Sequence, residues 1–166
     1  MKTVLLLRHA KSSWRDHDLD DVYRPLKKRG KRAAPRMGQL LVELNLLPDL
    51  IVSSNAVRAL DTARLVAEAC GYRGEVIPTA ELYHADPETH LSLLRSMPPA
   101  SERILLVGHN PGMEDLITHL TSRREAFPTA ALAHIALNCA RWTDITPALT
   151  GDLIGLWRPK ELPHND

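Results

Sequence analysis

The chain has 166 residues, 44% of them hydrophobic and 25% charged, with three Trp, three Tyr and one Phe. That length suits one domain, spanning 1–166, with a core built mainly from aliphatic side chains and no need of metal or disulfide staples. Lys and Arg number 21 against 20 for Asp and Glu, a net charge of +1. This argues against nucleic acid or an anionic membrane as partner, so any anion-binding is local.

In chain order, residues 3–7 form a short apolar run that stops at Arg8, the pattern of a strand buried on both faces. The run is too short for a signal peptide or a membrane span, and a cytoplasmic location is expected. Residues 27–47 have helical spacing, with Pro35 and Gly38 inside it predicting a kink or a fresh turn. A second strand is expected at 50–53, a second helix at 57–70 ended by Gly71 and Gly74, and a third strand at 75–77. A third helix at 87–97 is announced by Asp86 as cap with Pro87 at the first helical position; Asn110 and Pro111 repeat that pattern after a strand at 103–107. Two last strands, 132–138 and 152–157, are joined by a short connection without a clear helix, so at least one of them is expected to run antiparallel at the sheet edge. Cys70 and Cys139 have no metal-ligand spacing and read as reduced and packed. The fold class is α/β: a three-layer α/β/α sandwich with a mainly parallel sheet.

Three polar clusters follow three of the strands. They are Arg8-His9-Ala10-Lys11-Ser12, then Ser53-Ser54-Asn55 with Arg58, then Gly108-His109-Asn110-Pro111-Gly112. Ligands in parallel sheets bind at the C-terminal strand ends, where these clusters would meet. Two histidines, two arginines, hydroxyls and helix N-termini suit a tetrahedral anion. A neutral imidazole can attack phosphorus while guanidinium forks hold the oxygens over which charge spreads. Arg8 beside His9 favours the uncharged ring. One ring nitrogen of His9 is expected to donate to a carbonyl or carboxylate, freeing the other.

The runs LLLRHAKSSW, VSSNAVRALDTA and LLVGHNPGMEDL resemble the three motifs of the histidine phosphatase superfamily, which includes the cofactor-dependent phosphoglycerate mutases. RHAKSSW, the following RPLKKRG and the short chain resemble its SixA-type phosphohistidine phosphatases, over residues 3 to about 120. The resemblance implies a phosphoglycerate mutase-like fold and transfer of the phosphoryl group to His9, followed by hydrolysis. It further implies that Arg8 and Arg58 bind the phosphoryl oxygens, that His109 is the second histidine, and that neither metal nor organic cofactor is needed. Two departures stand out: Ala10 replaces the family's usual glycine, and the glutamate that protonates ester leaving groups has no clear match in TAELYHADPE. Glu81 is the best candidate there, ahead of His84, Asp86 and Glu88. A leaving imidazole needs less help than an alkoxide, so phosphohistidine in a protein is the expected substrate. Alternatives are a phosphatase for a small phosphate ester and a non-catalytic module that binds phosphorylated partners.

Blander readings exist for each residue. His9 alone could be a satisfied strand-end histidine, Arg58 a solvated helix residue or a partner for Asp61, and His109 the residue before a capped turn. Lys11, Ser12 and Ser54 are candidate phosphate or substrate contacts, though a loop lysine is more often simply solvated. The basic run from Arg24 to Arg36 reads as the exposed face of the first helix. His17, His90, His119, His134 and His164 show no pairing that would make a metal site.

Overall fold

The computed structural model describes residues 1–163; His164 lies outside the described residues. The order is β1 (Thr3–Arg8), α1 (Lys28–Glu43), β2 (Leu50–Ser54), α2 (Val57–Cys70), β3 (Val76–Thr79), α3 (Pro87–Arg95), β4 (Arg103–Gly108), α4 (Gly112–Thr121), β5 (Leu132–Leu137) and β6 (Gly151–Trp157). Short 3-10 turns at Asp21–Tyr23 and Ala80–Leu82 sit in the loops before α1 and α3. The six strands form one sheet in the order β3-β2-β4-β1-β5-β6.

Strand periodicity decides which side chains meet which helices, because successive residues face opposite sides of the sheet. Val4, Leu6, Ile104 and Leu106 pack on one side with α3 and α4, through Leu91, Leu94, Met113 and Leu116. Leu5, Leu7, Leu105 and Val107 face the other side, against Met37 and Leu41 of α1 and Ala59, Ala63 and Val66 of α2. Two apolar layers flanking one sheet make the three-layer sandwich. Strands β1 and β4, covered on both faces, contain no polar residue between Val4 and Leu7 or between Ile104 and Val107.

β3, β2, β4 and β1 are parallel, and β5 is antiparallel to both β1 and β6. The reversed strand is therefore β5, one place inside the edge, and β6 closes the sheet as the edge strand. Helix α1 runs unbroken through Pro35, which corrects the expected kink. Gly38 there serves packing: a Cβ would lie 2.6 Å from Ala69 Cβ and 2.7 Å from the Val66 carbonyl oxygen, so its absence lets α1 settle against α2. Helix α1 also stops at Glu43, short of the expected Leu47, with Asn45 in the left-handed region at φ 56°. Asp86 caps α3 as its sequence predicts, accepting from Thr89 N–H at 2.8 Å. Asn110 does not cap α4 in that way. Pro111 occupies the N-cap, while Asn110 Oδ1 accepts from Glu114 N–H at 3.3 Å and its Nδ2 donates to the Phe127 carbonyl at 2.8 Å. Both cysteines are free thiols, Cys70 buried and Cys139 half-buried.

Candidate active site

The candidate residues come together because of strand register. Parallel pairing sets Arg8 beside Gly108 and Ser53 beside Val107, so the residues one step further, His9, His109 and Ser54, share one end of the sheet. The rings of His9 and His109 lie 5.2 Å apart between centroids, tilted by 54°. Both are buried, at 6% and 8% exposure. The loop after β1 is held by backbone bonds: His9 N–H donates to the Gly108 carbonyl at 3.0 Å, and Ala130 N–H to the carbonyls of Arg8 and His9 at 3.1 Å each. Ala10 N–H donates to Thr62 Oγ1 of α2 at 3.0 Å. Ala10 does not adopt a positive φ and is fully buried, so the methyl where the family favours glycine fits without strain.

His9 Nδ1–H donates to the Ala10 carbonyl at 2.8 Å, and among the described residues Nε2 has no partner. Burial pushes His9 down to about 4; the bond to Ala10 opposes this, and the charges of Arg58, Arg8 and Arg24 add to the depression. The ring is therefore neutral near pH 7, with its proton on Nδ1 and a lone pair on Nε2. His109 is pushed down to about 3 by burial and by His9 and Arg58. Its Nε2 lies 2.7 Å from Ser54 Oγ. That buried hydroxyl accepts from Ala56 N–H at 3.2 Å and, among the described residues, has only Nε2 as acceptor for its own hydrogen, so it donates to Nε2 and the His109 proton falls on Nδ1.

Arg58, only 5% exposed, leaves the first turn of α2 and is gripped by Asp21, with Nη1 donating to the Asp21 carbonyl at 2.7 Å and Nη2 to Oδ2 at 2.9 Å. Asp21, rather than the neighbouring Asp61, is its partner. Arg8 donates through Nη1 to the Phe127 carbonyl at 3.2 Å. The Nε–H groups of Arg8 and Arg58 are both buried with no partner among the described residues, an arrangement that costs stability unless a ligand accepts from them.

Other expectations fare differently. Ser54 belongs to the cluster through His109. Ser12 is buried with its Oγ accepting from Arg24 Nη1 at 2.8 Å, so its hydroxyl is already engaged. Lys11 is exposed and lines a separate cleft of about 400 Å³ with Arg29, Arg158 and Lys160. Glu81 is exposed, and among the described residues its side chain makes no hydrogen bond to the histidine cluster. His84, next to Tyr83, stands closer: it lines a cavity of about 200 Å³ together with His109.

Four members of the site escape a reading of the sequence: Asp21, Arg24, Tyr83 and Thr62. Arg24 is not on the exposed face of α1; it precedes the helix, is 6% exposed, and donates through Nε to Asp21 Oδ1 at 2.9 Å. Tyr83 also donates its hydroxyl to the Asp21 carboxylate, and its ring meets His109 edge-on at 5.4 Å. Burial works to raise the Asp21 carboxyl, but the hydrogen bonds from Tyr83, Arg24 and Arg58 overcome it and hold the group well below the usual carboxylate range. The one available signal was the pairing of Asp21 with Arg24 just before Pro25.

The model of the histidine phosphatase superfamily (branch 1) matches residues 4–86. The chain belongs to the histidine phosphatase superfamily. A chloroplastic protein of Arabidopsis thaliana, itself uncharacterised, is 34% identical over 174 residues, covering 99% of this chain and 78% of the relative. A 2,3-bisphosphoglycerate-dependent phosphoglycerate mutase of Mycobacterium leprae is 39% identical over 72 residues, which span 42% of this chain and only 29% of the mutase. Among solved structures, an Agrobacterium tumefaciens protein assigned as the phosphohistidine phosphatase SixA has a TM-score of 0.81 at 29% identity, over 95% of this chain and 98% of that one. The protein histidine phosphatase SixA complexed with tungstate has a TM-score of 0.83 at 19% identity, over 97% and 99%, which speaks for the fold alone. Among the described residues no helix is long and apolar enough to cross a membrane.

Proposed function

We propose that this histidine phosphatase superfamily member removes the phosphoryl group from phosphohistidine in a protein, through a transient phosphohistidine on His9. The observation that carries this reading is a buried neutral imidazole with Nε2 free, beside two arginines whose buried Nε–H groups lack acceptors. In the first step the Nε2 lone pair forms a P–N bond as the P–N bond to the substrate imidazole breaks, and that imidazole departs with the bonding electrons. Arg8 and Arg58 hold the equatorial oxygens, and His109 donates from Nδ1 to the transferring group. Water then attacks phosphorus in the same pocket, releasing inorganic phosphate and restoring His9.

Glu81, the candidate proton donor, is exposed and makes no bond to the cluster. A leaving group that departs without strong acid assistance fits such a site, which favours a phosphoamide over an alkyl ester. The chemistry drawn here needs no metal, because guanidinium groups neutralise the charge, and activity should persist in EDTA.

The test is turnover of a phosphohistidine peptide alongside p-nitrophenyl phosphate and several small esters, with His9→Ala as control and mass spectrometry of protein quenched and kept at alkaline pH. Phosphate on His9, loss of turnover in His9→Ala and preference for the phosphohistidine peptide are expected. Full activity in His9→Ala would overturn the nucleophile assignment, and preference for a small ester would overturn the substrate.

A further inference from the structure

We propose that the groove formed by the loop after β1 and the start of α1 is a docking surface for the acidic protein segment that carries the phosphohistidine. The proposal rests on the functional reading above and names the partner that reading leaves open. The groove is open, about 900 Å³, and is lined by Trp14, Arg15, Leu19, Lys27, Lys28 and Lys31.

Charge is the first argument. Residues 11–32 carry eight Lys or Arg against four Asp, whereas the whole chain is balanced at +1. Among the described residues Lys27, Lys28, Arg29 and Lys31 enter no ion pair. Three of these cations crowd the entry of α1, whose first turn holds no acidic residue and whose N-cap, Lys27, makes no side-chain cap bond. Positive charge at that end opposes the helix dipole. The fold tolerates a local electrostatic conflict that an incoming carboxylate would relieve, and such conflicts gather where partners bind.

Aromatic exposure is the second argument. Trp14 and Leu19, both lining the groove, are 64% and 39% exposed, and Tyr23 of the same loop is 59% exposed. The Trp14 ring is held against the Arg24 guanidinium at 3.4 Å, and Arg24 is itself locked by Ser12 and Asp21. A tryptophan ordered in advance loses little entropy on association and is a typical interface anchor. Trp14 links the groove to the chemistry, since the Arg24 on which it rests shares Asp21 with Arg58. Asp16 lines the groove beside these cations, and Asp18 and Asp20 stand in the same loop; they would repel a uniformly negative polymer or bilayer surface, while a folded partner can place its carboxylates over α1 alone.

The experiment uses phosphohistidine peptides of one core sequence flanked by Glu, Gln or Lys, with phosphoramidate as the small reference substrate. At about 0.05 M salt, kcat/KM is expected to be about tenfold higher for the Glu peptide than for the Lys peptide, with the gap closing near 0.5 M salt. In Lys27→Glu/Lys28→Glu/Lys31→Glu the order should reverse, while phosphoramidate turnover stays within about twofold; acidic residues at a helix start are compatible with folding. Trp14→Ala should weaken the peptides as a series while leaving their charge order unchanged. Indifference to peptide charge, an acidic preference that survives the triple variant, or tighter binding of oligo-dT or phosphatidylserine vesicles than of the Glu peptide would overturn the proposal. Phosphoserine versions of the peptides separate the two readings: turnover confined to them, with the same charge order, supports the groove while overturning phosphohistidine as substrate.

Discussion

Asp21 holds both arms of the Arg58 guanidinium, its backbone carbonyl taking Nη1 at 2.7 Å and its carboxylate taking Nη2 at 2.9 Å. The same carboxylate accepts from Arg24 and Tyr83. One side chain from an irregular loop thereby sets the position of an arginine on α2, ties it to the loop after β1, and leaves Arg58 Nε unpaired.

Replacing Asp21 should thus act on catalysis more than on affinity. In Asp21→Asn the fork loses its charged partner and spreads over alternative rotamers, while phosphate binding no longer competes with a fixed carboxylate. A fall of about tenfold in kcat is expected, with the inhibition constant of inorganic phosphate unchanged or lower. A weakened phosphate affinity at undiminished kcat would contradict this positioning role.

The two buried histidines give stability an acid-side slope. His9 titrates at about 4 and His109 at about 3 in the folded protein, against about 6.5 in an unfolded chain. Between those values the unfolded state binds more protons, so stability is intact above pH 6.5 and is lost as pH falls toward 4. For His9 the loss between pH 7 and pH 5 is about 2 kcal/mol. Urea midpoints at the two pH values should show it, and His109→Gln should shrink the drop. A midpoint that is flat over this range would mean that the rings are not held neutral by burial.

Ser54 lies between the Ala56 N–H and His109 Nε2. Ser54→Ala removes the group that fixes the His109 tautomer and leaves a buried ring nitrogen unpaired, a penalty of about 1–3 kcal/mol for the site. A decrease of about tenfold in kcat with little change in substrate affinity is expected. Steady-state kinetics on the phosphohistidine peptide, with the fold checked by thermal melting, decide it.

How much of this was legible differs residue by residue. His9, Arg58 and His109 follow strongly apolar strands or open a helix, so parallel-sheet geometry brings them together once the strands are recognised. Glu81 lies on a loop whose path periodicity does not specify, and there the structure leaves the side chain exposed. Asp21, Arg24 and Tyr83 come from two loops more than fifty residues apart in sequence, meeting only through tertiary contact. Their charges resemble those of any solvated loop. Pro35 misleads for another reason: its ring removes one helical hydrogen bond, but packing of α1 along α2 keeps the helix continuous.

Gly30 tests whether the docked start of α1 supports the site. A Cβ there would lie 2.2 Å from the Lys11 carbonyl oxygen and 3.0 Å from its nitrogen, both backbone atoms that cannot turn aside. That same carbonyl accepts from Lys27 N–H at 2.9 Å, and Lys11 is two residues from His9. On helix propensity alone Gly30→Ala should stabilise α1 by about 1 kcal/mol. The close approach reverses the sign, since relieving it must part α1 from the loop after β1 and break the Lys11–Lys27 bond; a net loss of about 2 kcal/mol in urea unfolding is expected, together with a fall in kcat as the Ala10 carbonyl shifts away from His9 Nδ1. A variant as stable and as active as the wild type would show that this contact does not support the His9 loop.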